Sequence, residues 1–126
     1  MAQQTELVVI LDDRPGTAAQ LGAVLGEAGI NIEGVCGVVS GNEGVLHVLV
    51  ESDAQRAHAL LEAAGMRVDH EREVFVTSLP DRPGEMARIL DRLAAADVNC
   101  DLLYLTARGR LVIGAEDITQ VSSILT

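Results

Sequence analysis

The sequence predicts an α+β fold made of two copies of one small module. Three observations predict it: an internal repeat with an offset of 68 residues, an alternation of short apolar strands with amphipathic helices inside each copy, and a globular composition. Hydrophobic residues make up 48% of the 126-residue chain. No apolar run approaches the roughly 20 residues that cross a bilayer, and the N-terminus lacks the basic and apolar segments of a signal peptide. We therefore expect a soluble cytoplasmic protein with no membrane partner.

The repeat is clearest in two short segments. Residues 11–16 read LDDRPG and residues 79–84 read LPDRPG. The same offset aligns two apolar helix positions and the residue that opens the next strand, namely Leu21 with Ile89, Leu25 with Leu93 and Asn31 with Asn99. We therefore predict a duplication, with one module at residues 1–72 and the second at residues 73–126.

The first copy has the predicted order βαββαβ. Residues 7–11 form a short apolar strand, and the turn at residues 15–16 opens a helix that carries Leu21 and Leu25 on one face. Residues 30–38 and 45–50 form a hairpin, with Ile32 and Cys36 on one side of its first strand and Glu33 and Val35 on the other. A second helix begins at the capping residue Asp53, and residues 66–73 form the last strand.

The second copy repeats this order only as far as βαββα. A strand at residues 74–79 is followed by a helix with Ile89 and Leu93, by two more strands and by a helix from Asp117. The sequence stops at Thr126, before a final strand. We expect the resulting open edge to be covered by the other copy or by a second chain, because unpaired edges invite pairing.

Composition argues against several classes of function. The formal net charge of −10 disfavours nucleic acid and anionic membranes as partners. All nine basic residues are arginine, so a phosphate-binding lysine and a lysine Schiff base are excluded. Phe75 and Tyr104 are the only aromatic residues, too few to stack nucleic-acid bases. No nucleic-acid partner is expected.

The remaining reactive residue types show no catalytic or metal-binding pattern. His47, His58 and His70 have no metal-ligand spacing. Cys36 and Cys100 stand apart in apolar surroundings, which indicates buried reduced thiols, with a metal or redox role as the alternative. We predict no catalytic residues, no metal and no cofactor.

The Asp-Arg-Pro-Gly segment is the candidate binding element. It lies between a strand and a helix in each copy, so the glycine allows close approach and the N–H groups of the first helical turn can hold a carboxylate. Asp13 or Asp81 can accept a hydrogen bond from an ammonium group, and Asn31 or Asn99 offers both donors and an acceptor. A purely structural interpretation also fits, because the same residues make a good turn and helix start.

These residues make the chain similar to the ACT family of regulatory domains. The resemblance rests on the Asp-Arg-Pro-Gly turn, on the GINI segment at residues 29–32 and on the second copy of both over residues 79–103. It implies two ferredoxin-like ACT modules in tandem, each an antiparallel sheet with helices on one face. It also implies an amino acid bound where two modules meet. The implied binding residues are Asp13, Arg14, Pro15, Gly16, Asn31 and Ile32 in the first copy and Asp81, Arg82, Pro83, Gly84, Asn99 and Cys100 in the second.

The function expected from this resemblance is a non-catalytic sensor of an amino acid or a similar zwitterion. A homodimer is expected, acting on a separate enzyme or regulator. The alternative is a protein-interaction module that has no ligand and acts through its sheet edge. An enzyme is disfavoured: acylphosphatases share the βαββαβ order, but this sequence lacks their glycine-rich, aromatic-bearing loop.

Overall fold

The computed structural model describes residues 2–126. The chain forms six strands and four helices in those residues. In chain order they are β1 (Ala2–Asp12), α1 (Thr17–Glu27), β2 (Ile32–Ser40), β3 (Glu43–Val50), α2 (Ala54–Ala63), β4 (Arg67–Ser78), α3 (Glu85–Ala95), β5 (Cys100–Leu105), β6 (Arg110–Ala115) and α4 (Ile118–Leu125). Among them, no helix is long and apolar enough to cross a membrane.

The chain divides into two compact units. One unit is Thr5–Arg72, with the strand order β2-β3-β1-β4. The other is Glu73–Thr126 together with residues 2–4, with the order β1-β4-β6-β5. Strands β1 and β4 therefore contribute residues to both units. The first unit has a ferredoxin-like arrangement of strands, so the α+β prediction is confirmed.

The core of the first unit lies between one face of its strands and its two helices. Leu7, Val9 and Leu11 alternate along β1 and share a cluster with Leu25 of α1 and Leu61 of α2, all buried. Strand β3 runs antiparallel to β1 and to β2, with Leu7 opposite Val48 in the first pair. Burial of each large aliphatic side chain contributes about 1.5–3 kcal/mol.

The second unit has its own core. Phe75 of β4 and Ile113 of β6 face each other in an antiparallel pair, and both are buried with Leu93 of α3 and Val121 of α4. Strand β5 pairs with the other side of β6, which leaves β5 at the edge of this unit.

Helix ends follow the predicted signals. Asp53 accepts a hydrogen bond from the Arg56 N–H at 3.4 Å, and Asp117 accepts one from the Thr119 N–H at 3.1 Å, as expected of capping residues. Gly29 follows α1 with φ of 74°, and Asp97 holds the equivalent position after α3 with φ of 60°. A left-handed residue therefore follows both α1 and α3, and it is glycine only after α1.

The structure joins two predicted strands into one, namely the final strand of the first copy and the first strand of the second copy. The segments 66–73 and 74–79 were expected as two strands, but β4 is one continuous strand of 12 residues. No glycine or proline interrupts this segment, so nothing turns the chain near Arg72. Residues 2–4 of β1 belong to the second unit, where β1 neighbours β4. The first copy thus supplies residues beside β4.

A second correction concerns β2. Glu33 and Val35 were expected on one side of this strand, but Glu33 is 2% exposed and Val35 is 50% exposed. The pairing register with β3 shifts between Ile32 and Gly34. Such a bulge inserts an extra residue and breaks the two-residue alternation on which the prediction relied.

Candidate ligand-binding site

The loop between β1 and α1 is held in one shape by backbone hydrogen bonds. The Asp13 N–H donates to the Asn42 carbonyl at 3.2 Å, and the Arg14 N–H donates to the Asp12 carbonyl at 2.9 Å. The Thr17 hydroxyl donates to the Asp12 carbonyl at 2.9 Å. These bonds tie the loop to the β2–β3 turn and leave the Asp13 carboxylate outside the loop's own hydrogen bonds.

Helix α1 starts without a side-chain cap. Gly16 at the cap position has φ of 95°, and no side chain in the part of the chain that the structure describes caps the helix there. The Gln20 N–H donates to the Gly16 carbonyl at 3.0 Å as the first helical bond. The N–H groups of the preceding residues therefore have no partner within the helix, and with the helix dipole they favour an anion.

A cleft of about 400 Å³ lies beside this loop. One wall is the loop itself, including Asp13, Arg14, Pro15 and Gly16, and the other wall is strands β2 and β3. The strand wall is apolar and consists of Gly37, Val38, Val39, Gly44 and Leu46. A polar loop faces an apolar wall, which is a combination typical of small-molecule binding sites.

This strand wall was missed in the sequence. Val38 and Val39 are 57% and 60% exposed on β2, which is the edge strand of the first unit. A signal was available, because residues 34–40 read GVCGVVS without one charge. Edge strands usually carry charges that prevent pairing, so an uncharged edge indicates a contact surface.

Asn31 and Ile32 lie away from the loop within the first unit. They follow the C-terminal end of α1, whose 11 residues span about 16 Å. The Asn31 amide donates to the Glu51 carboxylate at 3.2 Å, and Ile32 packs against the core. Asp13, Arg14, Pro15 and Gly16 line one cleft, and this unit does not bring Asn31 or Ile32 to it.

The equivalent loop of the second unit is exposed at Asp81, Pro83 and Gly84 but differs at the start of α3. Glu85 occupies the position of Thr17, and its side chain is only 14% exposed. The Arg88 and Arg82 guanidinium groups each donate to it at 2.8 Å. These hydrogen bonds, Arg88 first, lower the pKa of Glu85. A carboxylate of the chain thus lies at the anion-favouring end of α3.

Asn99 and Cys100 are also separated from their loop. Asn99 lines a cleft of about 570 Å³ whose other lining residues include the acidic Asp97, Asp101, Glu116 and Asp117. Cys100 packs against the second core, where burial and then the neighbouring Asp101 raise the pKa of its thiol. Four carboxylates around Asn99 oppose the approach of a ligand carboxylate.

Comparison with known proteins identifies the family of the segment that contains the Asp13–Gly16 loop. Residues 5–63 match the family model described as the ACT domain. The chain contains an ACT domain. The matched residues of this ACT domain hold the loop, α1 and the strand wall of the cleft. No curated protein matches the sequence significantly.

Several solved structures share the fold around this ACT domain. Protein BT0572 from Bacteroides thetaiotaomicron superposes with a TM-score of 0.87 at 24% identity, over 98% of this chain and 86% of that one. The ligand-free regulatory subunit of aspartate kinase from Thermus thermophilus gives 0.68 at 23% identity, over 99% and 96%. The corresponding subunit from Thermus flavus gives 0.62 at 22%, over 98% and 92%.

Proposed function

We propose that this protein is a non-catalytic amino-acid sensor made of two ACT modules in tandem, at residues 1–72 and 73–126. The ligand binds in the cleft at the Asp13–Gly16 loop. The observation that carries the proposal is that this cleft joins an uncapped helix N-terminus to an apolar wall. Both units have the element order βαββα, which supports the tandem assignment.

The cleft suggests how a zwitterion binds. The α-carboxylate accepts hydrogen bonds from the first-turn N–H groups of α1, an interaction favourable by about 0.3–1 kcal/mol when exposed and by more when partly buried. The Asp13 carboxylate accepts from the α-ammonium. The ligand side chain lies against Val38 and Leu46 of the strand wall. The equivalent loop is the weaker candidate, because Glu85 already lies at its helix N-terminus.

We further propose that a second copy of the chain closes the cleft. The exposed Val38 and Val39 on the uncharged edge strand β2 support a homodimer formed along this edge. In that dimer Asn31 and Ile32 act across the interface between ACT modules rather than on their own cleft. The sensor's output passes to a separate cytoplasmic enzyme or regulator, as the resemblance to regulatory subunits of aspartate kinase suggests.

The same edge strand also favours a second candidate function. An interaction module without a ligand would use β2 to add a strand from a protein partner, through its backbone groups and its exposed valines. In that case the cleft would be part of a protein interface and would show no response to free amino acids.

A thermal-shift screen against the twenty amino acids tests the sensor proposal. A ligand at about one hundred times its Kd adds roughly 2.7 kcal/mol to stability. We expect a shift with one or a few apolar amino acids, lost in Asp13→Ala and kept in the matched control Asp81→Ala. Asn31→Ala should weaken the shift only if the interface proposal holds. A flat response at millimolar concentrations would favour the interaction module.

A further inference from the structure

Three polar side chains form a row across neighbouring strands on the sheet face opposite the first core. Cys36 on β2 lies directly opposite His47 on β3, and His47 lies opposite Val8 on β1. Glu6 is two residues from Val8 on the same face, and its carboxylate lies 3.0 Å from Nδ1 of His47. The row is therefore thiol, imidazole and carboxylate, in that order.

The row runs from the partly exposed thiol to the protein interior. The Glu6 side chain is 0% exposed, the His47 side chain is 20% exposed, and Cys36 is a partly exposed free thiol. A buried carboxylate accepts the His47 Nδ1–H and thereby fixes the tautomer in which Nε2 carries the lone pair. Directly opposed residues have Cβ atoms about 4.5–5.5 Å apart, so the register places Cys36 beside His47 on this face.

The repeat shows that the strand pairing does not require this chemistry. The positions equivalent to Glu6 and Cys36, 68 residues later, are Val74 and Tyr104. Tyr104 lies opposite Val112 in the β5–β6 pair, so Val112 corresponds to His47. Val74 and Val112 are fully buried and Tyr104 is 8% exposed. The same fold is thus built with apolar or aromatic side chains at these three positions.

We propose that Cys36 is a modification site whose nucleophilic thiol reacts with small disulfides. His47 activates this thiol, and Glu6 holds the His47 ring in position. The Cys36 thiol gives its proton to Nε2 of His47, and the resulting thiolate attacks one sulfur of the disulfide. A Cys36–sulfur bond forms as the disulfide bond breaks. The released thiolate takes the proton from the imidazolium, so the disulfide is the oxidant and no other reagent is needed.

Cys100 is a matched internal control. It is also a free, partly exposed thiol on an edge strand, but it lies opposite Ala115 rather than a histidine. Burial and the neighbouring Asp101 raise the pKa of its thiol. The two cysteines therefore share an exposure class and differ in the presence of the imidazole and carboxylate.

The test is the rate of reaction with 4,4′-dithiodipyridine, a neutral disulfide whose thiol product is followed by its absorbance in the near ultraviolet. Cys100→Ser reports on Cys36, and Cys36→Ser reports on Cys100. At pH 7 we expect Cys36 to react about tenfold faster or more, because the neighbouring imidazole takes up the thiol proton as the sulfur attacks. In concentrated urea the two rates should converge. Equal rates in the folded protein would overturn the proposal.

Variants of the row separate activation from simple exposure. In the Cys100→Ser background, Glu6→Val with His47→Val copies the residues of the second unit and should fold, as circular dichroism will show. Its Cys36 rate should fall by about tenfold and follow the pH profile of an ordinary thiol, with little reaction below neutral pH. An unchanged rate or pH profile in this folded variant would refute the role of His47.

Discussion

Replacing His47 with valine deletes a hydrogen-bond partner of a carboxylate that lies wholly inside the protein. The Glu6 side chain is 0% exposed and lies 3.0 Å from the His47 ring, which is 20% exposed. Removing a hydrogen-bond partner so that a buried polar group is left unsatisfied costs about 1–3 kcal/mol, and more when that group is charged. Since His47 retains some exposure, water can approach the vacated position, and we expect a loss of about 2–3 kcal/mol.

Replacing both partners should cost far less. The Glu6→Val, His47→Val double variant places valines where the second unit has the fully buried Val74 and Val112. Replacing both members of a buried polar pair by apolar groups leaves neither one facing an unsatisfied partner, so the double variant should lose less stability than the sum of the two single variants. The two substitutions should therefore show a coupling free energy of about 2 kcal/mol.

Urea denaturation of the four proteins, followed by circular dichroism, measures this coupling. The His47→Val single variant should also melt roughly 8–15 °C below the parent, at about 4–5 °C per kcal/mol for a chain of this size. The parent, the two single variants and the double variant close the cycle. Additive effects, with the double variant as unstable as the sum of the singles, would refute the coupled buried pair.

Three further predictions concern the cleft, a helix end and an ion-pair cluster. Gly37→Val should abolish an amino-acid-induced thermal shift, because the added methyl groups enter the cleft. The protein should stay folded, since a Cβ at Gly37 meets the Leu46 side chain at an ordinary 3.5 Å. A retained shift would place the ligand elsewhere. Asp97→Gly should raise the free energy of unfolding in urea by about 0.5–1 kcal/mol, because Asp97 has φ of 60°, and a loss of stability would show that its side chain compensates for this conformation. By NMR titration, the pKa of Glu85 should lie below its ordinary value of 4.5 and rise in Arg88→Ala, with the Arg108→Ala substitution as a control. A lowered pKa means that ionised Glu85 stabilises the fold above pH 4.5 and that this stabilisation is lost as the pH falls through the lowered pKa. The free energy of unfolding of Arg88→Ala should therefore change less with pH in that range than that of the parent.

Local signals in the sequence predicted the helices and their ends. Asp53 caps α2 as predicted, α4 begins directly after Asp117 where a helix was expected, and Gly29 ends α1 in the left-handed conformation. Each of these features depends on residues within one turn of the chain. The repeat added the order of the elements, because a second copy with the same spacing made chance agreement improbable.

The features that the sequence did not predict depend on pairing between distant residues. The bulge that buries Glu33 follows from how β2 pairs with β3, and the joining of two predicted strands into β4 follows from the absence of a turn. The separation of Asn31 from the Asp13 loop results from the length of α1, which places the two at its opposite ends. The binding role of the predicted residues in either copy stays a prediction.

The continuity of β4 limits which insertions and deletions the protein can tolerate near Arg72. The strand runs without interruption from Arg67 to Ser78, and neighbouring side chains point to opposite faces, with Phe75 in the second core and Val74 and Val76 on the other face. One residue inserted just after Arg72 would exchange these faces for the rest of the strand and expel Phe75 from its core. Two inserted residues would restore the alternation, so changes in length at this point should survive selection only in even steps.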